Sequence, residues 1–356
     1  MSDIREVAVI GARGVGASHV AALREVPGVR VSIVVGSTAS SAERVAHALG
    51  VPRWSADWQD AISADEISAA HICTPNNLHY PIAAAALAAG KHVVCEKPLT
   101  ADAEQAGQLV ELGRKYPDQL TVLGYKYRYA PLVRLLRKYI GEGELGRVHE
   151  IRASYLQNWM LDAEQSAWRR DAGQGGAARV LLDIGTHLLD LMETVLGQRM
   201  VYLQGQLFSA GPPFEPPIPS NHSAEAKDDG AHLLAQFDEG AHGVAALSQV
   251  SAAHTQQITL DVDGSTGSAH WSLADVESLS LTDAGDNAQL RLDGNSAHAT
   301  AGRYWRRTTD PDRLLIPLLT HAYERLTGQG PLVTIDPVPV PTFDDGLRHI
   351  ELIQTL

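Results

Sequence analysis

The first 124 residues alternate short β-branched runs with helical patterns, and that rhythm restricts the fold more than any other feature of the chain. Strand-like runs at 6–10, 29–35, 69–73, 92–95 and 120–124 are separated by helical patterns at 19–26, 40–49, 80–89 and 103–115. Gly50 and Gly90 stand just past two of these helices, where a left-handed residue commonly closes a helix. Strands joined through helices in this way run parallel, because each connection crosses over the sheet, and it does so right-handed. Helices then cover both faces of the sheet, which explains why the strands are apolar throughout instead of alternating. The spacing predicts a doubly wound parallel α/β domain over residues 1–124.

The rhythm changes after residue 125. A long strand-like run at 148–159 and an amphipathic helical pattern at 184–196 are followed by strand after strand, at 201–208, 232–237, 243–250, 257–262 and 268–271. Asp238-Glu239-Gly240 and Asp263-Gly264 supply turns between them. The proline-rich stretch at 211–219 cannot join a sheet, because proline lacks the ladder donor, and reads as a surface loop. The expectation is an α+β second domain over 125–342 with a large, mostly antiparallel open sheet. A final helix at 343–356 is expected to pack back near the first domain.

With 356 residues, 44% apolar and 20% charged, the chain has the composition of an ordinary two-domain globular protein. Its net charge of −13 argues against a nucleic-acid partner, whose phosphates need a basic face. No stretch is long and apolar enough to span a bilayer, and no basic segment precedes an apolar run at the N-terminus, so a cytoplasmic protein is expected. The only cysteines, Cys73 and Cys95, lie in apolar runs and read as buried thiols.

Strand 6–10 runs into Gly11-Ala12-Arg13-Gly14-Val15-Gly16 just before a helix. A turn of this kind brings free helix N–H groups to a pyrophosphate. Gly11 and Gly16 match the first and third glycines of the G-x-G-x-x-G spacing, but Arg13 occupies the second position, with Gly14 beside it. The second strand ends in Ser37, Thr38 and Ser40 with Arg44 beyond, and no carboxylate appears before Glu43. Hydroxyls and arginines suit a ribose 2′-phosphate better than a bare 2′-hydroxyl, which favours NADP over NAD. The alternative is that Ser37 or Ser40 caps the second helix.

Further motifs follow in order: Cys73-Thr74-Pro75-Asn76-Asn77-Leu78-His79, then Gly90-Lys91-His92-Val93-Val94-Cys95-Glu96-Lys97-Pro98-Leu99, then Gly124-Tyr125-Lys126-Tyr127-Arg128-Tyr129, then Gly143-Glu144-Leu145-Gly146-Arg147-Val148, and last Leu182-Asp183-Ile184-Gly185-Thr186-His187-Leu188-Leu189-Asp190. In this order they resemble the glucose–fructose oxidoreductase / inositol dehydrogenase (Gfo/Idh/MocA) family. Tyr155-Leu156-Gln157-Asn158-Trp159, Trp168-Arg169 and Leu247-Ser248-Gln249-Val250-Ser251 resemble its levoglucosan dehydrogenase-like branch of sugar dehydrogenases. The resemblance implies an N-terminal Rossmann sheet, a nicotinamide cofactor, no metal, and oxidation of a secondary hydroxyl on a sugar, anhydrosugar or cyclitol. It also implies homodimers or homotetramers that pair through the open face of the second sheet.

By that resemblance Lys97 polarises the alcohol oxygen and His187 takes the hydroxyl proton, with Asp183 supporting it or binding substrate. The residues agree with these roles. Lys97 follows the carboxyl end of a parallel strand, where open α/β sheets bind ligands, and Pro98 restricts its backbone. Asp183 and His187 stand four apart across a helix start and share a face; a histidine is a suitable base near neutral pH. The alternative is that Asp183 only caps the helix and His187 packs beneath the sheet. Thr74, Pro75, Asn76 and His79 are expected at the nicotinamide end, with Glu96 near its ribose and Lys97 also against the cofactor; the alternative for His79 is that it only begins a helix, with no ligand contact. Arg13, Gly14 and Val15 join Gly11 and Gly16 at the phosphates. Lys126, Arg128, Tyr155, Asn158, Trp168 and Arg169 are expected to line the sugar pocket, with Lys126 hinting at an anionic substrate group. Two rival readings stay open: a family member that cleaves glycosides with held NAD, and a non-catalytic dinucleotide-binding regulator. No metal-ligand spacing and no Gly-x-Ser-x-Gly elbow occurs.

Overall fold

Val7, Ala8, Val9 and Ile10 are buried in succession, so strand β1 (Arg5–Ile10) is covered on both faces. A computed structural model of the chain describes residues 5–161, 178–210, 228–275, 278–283, 289–293, 310–327 and 338–356. Trp168 and Arg169, and the proline-rich stretch at 211–219, lie outside the described residues.

The elements of the first sheet follow in order: α1 (Val15–Leu23), β2 (Val29–Val35), α2 (Ala39–Leu49), β3 (Arg53–Ser55), α3 (Trp58–Ser63), β4 (Ile67–Ile72), α4 (His79–Ala88), β5 (His92–Cys95), α5 (Ala103–Lys115) and β6 (Thr121–Leu123). The six strands pair in parallel in the order β3-β2-β1-β4-β5-β6. The order reverses between β1 and β4, which brings the turn after β1 beside the turn after β4 at the carboxyl edge, where doubly wound sheets hold ligands. Short β3 and α3 went unforeseen, because three strand residues carry no readable period.

In the second sheet α6 (Pro131–Gly141) leads to β7 (Val148–Leu156), and a single π-helical turn, Leu181–Gly185, leads to α7 (Thr186–Leu196). Then come β8 (Met200–Phe208), β9 (Gly230–Phe237), β10 (His242–Ser248), β11 (Gln257–Gly264), β12 (Gly267–Ser272), β13 (Ser278–Asp283) and β14 (Gln289–Asp293). Eight strands lie in the order β14-β13-β12-β11-β7-β10-β9-β8, antiparallel throughout except for the β7–β10 pair. Burial alternates residue by residue along β9 and β11, so one face is packed and the other open. Every residue of α7 is buried, so the helix whose pattern reads as amphipathic is a core helix. Glu193 within it is satisfied by the Met200 N–H at 2.7 Å and by His349 Nε2 at 2.9 Å.

Two last helices follow, α8 (Leu315–Thr327) and α9 (Phe343–Gln354). The chain divides into one unit of Met1–Lys126, Asp310–Leu332 and Pro339–Arg348 and another of Tyr127–Thr309, Val333–Val338 and His349–Leu356. Residues 310–332, which the sequence reading assigned to the second domain, therefore belong with the first unit. There α8 buries Leu315, Leu318, Leu319 and Ala322 completely. Among the described residues no helix is long and apolar enough to cross a membrane.

Candidate active site

The first unit carries the expected phosphate turn. Gly11 has φ +87°, and a Cβ there would stand 2.5 Å from the Cys73 carbonyl oxygen, so only glycine lets the turn after β1 approach the end of β4 so closely. A Cβ at Gly16 would strike the Gly11 carbonyl. Gly14, at φ +54°, begins α1 with no side-chain cap and faces open space. The backbone freedom expected one residue earlier thus sits at Gly14, and Arg13 is exposed. Val15 opens the helix.

At the end of β2 Ser37, Thr38 and Arg44 are exposed. Neither Ser37 nor Ser40 caps α2; Thr38 does, its hydroxyl accepting the Ser41 N–H at 3.2 Å. Arg44 donates to Ser40 Oγ. At the end of β4 Thr74 and Pro75 are half-buried and Asn76 is buried in a 3-10 turn, Asn76–Leu78. Thr74 Oγ1 is buried with no hydrogen-bond partner among the described residues. An uncapped helix start, a turn made of glycines and an unsatisfied hydroxyl at the switch point together fit a dinucleotide.

His79 begins α4, as the second of its two readings has it. It is only 1% exposed, and its Nδ1 lies 2.8 Å from the Pro98 carbonyl and its Nε2 3.0 Å from the Thr74 carbonyl. The ring spans two loops of the site and has no face left for a ligand. Burial depresses its pKa, and the two backbone carbonyls partly offset this.

Lys97 is half-buried, follows β5 and precedes a cis peptide bond to Pro98. Its backbone N–H donates to Glu96 Oε2 at 3.3 Å. Glu96 is buried, and a Cβ on Gly124 would stand 2.5 Å from its Oε1, so the glycine leaves room for the carboxylate. Lys126, expected to greet an anionic substrate group, is buried and ion-paired with Asp312, which also accepts from Ser18 of α1. Asp312 arrives from the returning segment, almost two hundred residues further on, and no sequence signal announced it. Burial pushes both cysteine thiols well up, so neither is a nucleophile.

The second unit carries the acid–base pair. Asp183 lies in the π-helical turn and His187 in the first turn of α7. Gly185 permits this close docking, since a Cβ there would already touch Leu247 of β10 at 3.2 Å. The residue before α7 is Gly185 and no side chain caps the helix, so Asp183 is not its cap. Asp183 Oδ2 instead accepts from Gln249 Nε2 at 2.7 Å. Gln249 Oε1 in turn accepts from Arg179, which is also bonded to Asp229 at 2.9 Å and to the Asp228 carbonyl. His187 is buried and packs edge-on against Tyr127, with ring centroids 4.9 Å apart.

Tyr127 and Tyr155 share a hydrogen bond of 2.9 Å, and Gln256 donates to both hydroxyls. Gln157 donates to Tyr155 at 3.2 Å and accepts from Trp159 Nε1 at 2.6 Å. Burial pushes the Tyr155 hydroxyl well up, so it stays neutral and works as a hydrogen-bonding group. Asn158 is half-buried and donates to the Ala252 carbonyl at 3.3 Å. Arg128 departs from expectation: it is buried and grips Asp190 bidentately through Nε at 2.8 and 2.9 Å and through Nη2. Its guanidinium holds α7 in place through that carboxylate. Sequence reasoning missed Gln249, Arg179, Tyr127 and Gln256, which lie far apart in the chain. Among the described residues no cluster of histidine, cysteine and carboxylate side chains could hold a metal ion.

Residues 5–123 match the family described as oxidoreductase family, NAD-binding Rossmann fold, and residues 133–270 match the GFO/IDH/MocA C-terminal domain. The chain belongs to the GFO/IDH/MocA oxidoreductase family. Within the GFO/IDH/MocA relatives, levoglucosan dehydrogenase of Pseudarthrobacter phenanthrenivorans is 29% identical over 275 residues, covering 73% of this chain and 69% of that one. An inositol 2-dehydrogenase of Corynebacterium glutamicum is 33% identical over 45% of this chain and 51% of its own. Among solved structures, an oxidoreductase domain protein from Kribbella flavida superposes with TM-score 0.83 at 28% identity, covering 99% of this chain and 96% of that one. Named GFO/IDH/MocA relatives are sugar and inositol dehydrogenases.

Proposed function

We propose that the chain is an NAD(P)-dependent dehydrogenase acting on a secondary hydroxyl of a sugar, anhydrosugar or cyclitol. The observation that carries this reading is the second unit's constellation: Asp183 held by Gln249, and His187 against a tyrosine pair in a setting of hydrogen-bonding and flat apolar groups. Sugars are bound by such a mixture.

His187 takes the hydroxyl proton, and a carboxylate on the same face supports the imidazolium that results. Lys97 supplies positive charge to the developing alkoxide. The nicotinamide, when bound, supplies the hydride acceptor. Gly11, Gly14, Val15 and Gly16 hold the pyrophosphate on α1, and Thr74, Pro75, Asn76 and Glu96 lie toward the nicotinamide end.

NADP is preferred in this reading. The support is the exposed Ser37, Thr38, Arg44 and Arg13 and the lack of a carboxylate directly after β2. A homodimer or homotetramer is proposed through the open face of the eight-stranded sheet, supported by exposed Val201, Tyr202, Leu234 and Val244. Light scattering on the purified protein tests it; a monomer refutes it.

The direct test of function is a fluorescence titration with NADH and NADPH, followed by a reduction assay with pyranosides, levoglucosan and inositols. Tight binding of one cofactor is expected, and reduction of its oxidised form by one such polyol. Binding without turnover on any of them favours a regulator, and glycoside cleavage without net reduction favours the glycoside-cleaving variant.

A further inference from the structure

Behind Glu96, within the first unit, four side chains from four separate elements form an unbroken row. Glu96 Oε1 lies 3.0 Å from His19 Nε2, His19 Nδ1 lies 3.0 Å from His71 Nδ1, and His71 Nε2 lies 2.8 Å from the Tyr323 hydroxyl. His19 comes from α1, His71 from β4 and Tyr323 from α8, while Glu96 follows β5. All four are buried. Two imidazoles placed in an apolar sheet–helix layer are costly unless each ring nitrogen is matched. Neither is consumed by the proton chemistry described above.

The carboxylate end of the row fixes its first hydrogen bond. A carboxylate only accepts, so His19 Nε2 carries a hydrogen and donates to Glu96. Burial, and then the neighbouring His19, push the His71 pKa well down, so His71 is a neutral ring with one N–H. Between the two rings one Nδ1 carries the hydrogen and the other accepts it, and His71 Nε2 and the Tyr323 hydroxyl share the last bond. Each donor then meets one acceptor, and the hydrogen bond at the carboxylate end points toward Glu96. The row also ties α1, whose start forms the phosphate turn, to the carboxylate beside Lys97.

We propose that His19, backed by His71 and Tyr323, is a positioning residue that aims the Glu96 carboxylate and keeps it ionised, so that cofactor affinity depends on a proton donor at position 19. This rests on the reading that Glu96 belongs to the dinucleotide site. The other groups facing the row are Lys97, Lys126, His79 and the neutral thiols of Cys73 and Cys95 at Glu96, Asp312 at His19, and Arg5 toward Tyr323. For Glu96 burial raises the pKa, but the His19 hydrogen bond and charge, with Lys126 and Lys97, outweigh it and hold the carboxyl below its ordinary range. Removing the donor at position 19 raises that pKa, so the carboxylate takes up its proton at a higher pH.

The test is a fluorescence titration of whichever of NADH and NADPH the wild type binds, from pH 5 to 8.5. The variants are His19→Leu, His19→Gln, Glu96→Gln and the double variant His19→Leu/Glu96→Gln. His19→Leu is expected to weaken binding about tenfold at pH 6, the scale of a hydrogen bond to a charged group. The deficit shrinks as pH rises, and His19→Gln, which keeps a donor, recovers most of it. In the Glu96→Gln background His19→Leu adds no further loss. A deficit that is the same at every pH, or that persists undiminished in the Glu96→Gln background, overturns the proposal and leaves His19 a packing residue. A wild type that binds neither cofactor overturns the dinucleotide reading and this proposal with it. Nitrogen-15 NMR of the wild type provides a measurement that needs no variant: His19 Nε2 is expected to carry a hydrogen and His71 to be a neutral ring with one N–H, and a His19 Nε2 without a hydrogen contradicts the row.

Discussion

Gln249 donates its amide N–H to Asp183, with Nε2 2.7 Å from Oδ2. The amide is completely buried and its other end is fixed by Arg179, so it cannot rotate away. A carboxylate held this way presents its remaining oxygen in one direction. Gln249→Leu is therefore expected to lower kcat by about tenfold or more, the equivalent of a hydrogen bond to a charged group, with a smaller change in KM. Steady-state kinetics with the polyol found in the screen measures this, and an unchanged kcat would deny Gln249 its hold on Asp183.

Lys97→Met and His187→Ala are expected to reduce turnover by about 10²–10⁴-fold, the range for loss of a positioned proton-transfer group. His187→Ala should leave NAD(P)H titrations near wild type, since its side chain forms no part of the phosphate turn. Full turnover in either variant would contradict the assigned roles.

Arg128 and Asp190 form a buried bidentate pair. Asp190→Asn is expected to destabilise the fold by about 3–5 kcal/mol, the usual result of stranding one charge of a buried pair. Urea unfolding reads this directly. If the variant keeps wild-type stability but loses substrate affinity, Arg128 contacts substrate after all.

Gly11 and Gly14 both have positive φ but differ in surroundings. Gly11→Ala adds a clash with the Cys73 carbonyl to the backbone strain, whereas Gly14→Ala meets only the strain. Gly14→Ala is expected to cost about 1 kcal/mol and Gly11→Ala clearly more. Comparable thermal unfolding of the two variants would refute the close approach.

Burial pushes Asp228 up to about 6, against hydrogen bonds and the Arg179 charge that draw it down. The folded protein thus binds this proton more tightly than the unfolded chain does. The group's contribution is fully present at low pH and is lost as pH rises through about 6. Relative to Asp228→Asn, wild type should lose stability between pH 4.5 and 7, by at most about 3 kcal/mol. A stability difference that does not change over that range would show that Asp228 titrates normally.

The parts of the molecule legible in the sequence were those written locally. The run from β1 through Gly11 to α1 could be read because a turn and its glycines lie within six residues. The Asp183–His187 spacing was legible because one helical turn relates them. Thr38 was missed as the cap of α2 in favour of its neighbours Ser37 and Ser40, since hydroxyl residues crowd that helix start and the sequence does not say which adopts the extended conformation. Arg128 and Lys126 looked like pocket residues because their partners, Asp190 and Asp312, stand 62 and 186 positions away. His71 did leave a signal, a polar residue in the buried strand Ile67–Ile72, but only the fold shows what it faces.

The return of residues 310–332 to the first unit makes its boundary a matter of topology and not of a single cut. A gene truncated after residue 126 would encode every strand of the parallel sheet yet lack α8, whose Leu318, Leu319 and Tyr323 are buried within that unit, and would lack Asp312 as well. Recombination could not graft this cofactor module onto another protein with one crossover. Both ends of the coding sequence must travel together, so the two halves of such a chain are inherited as one block.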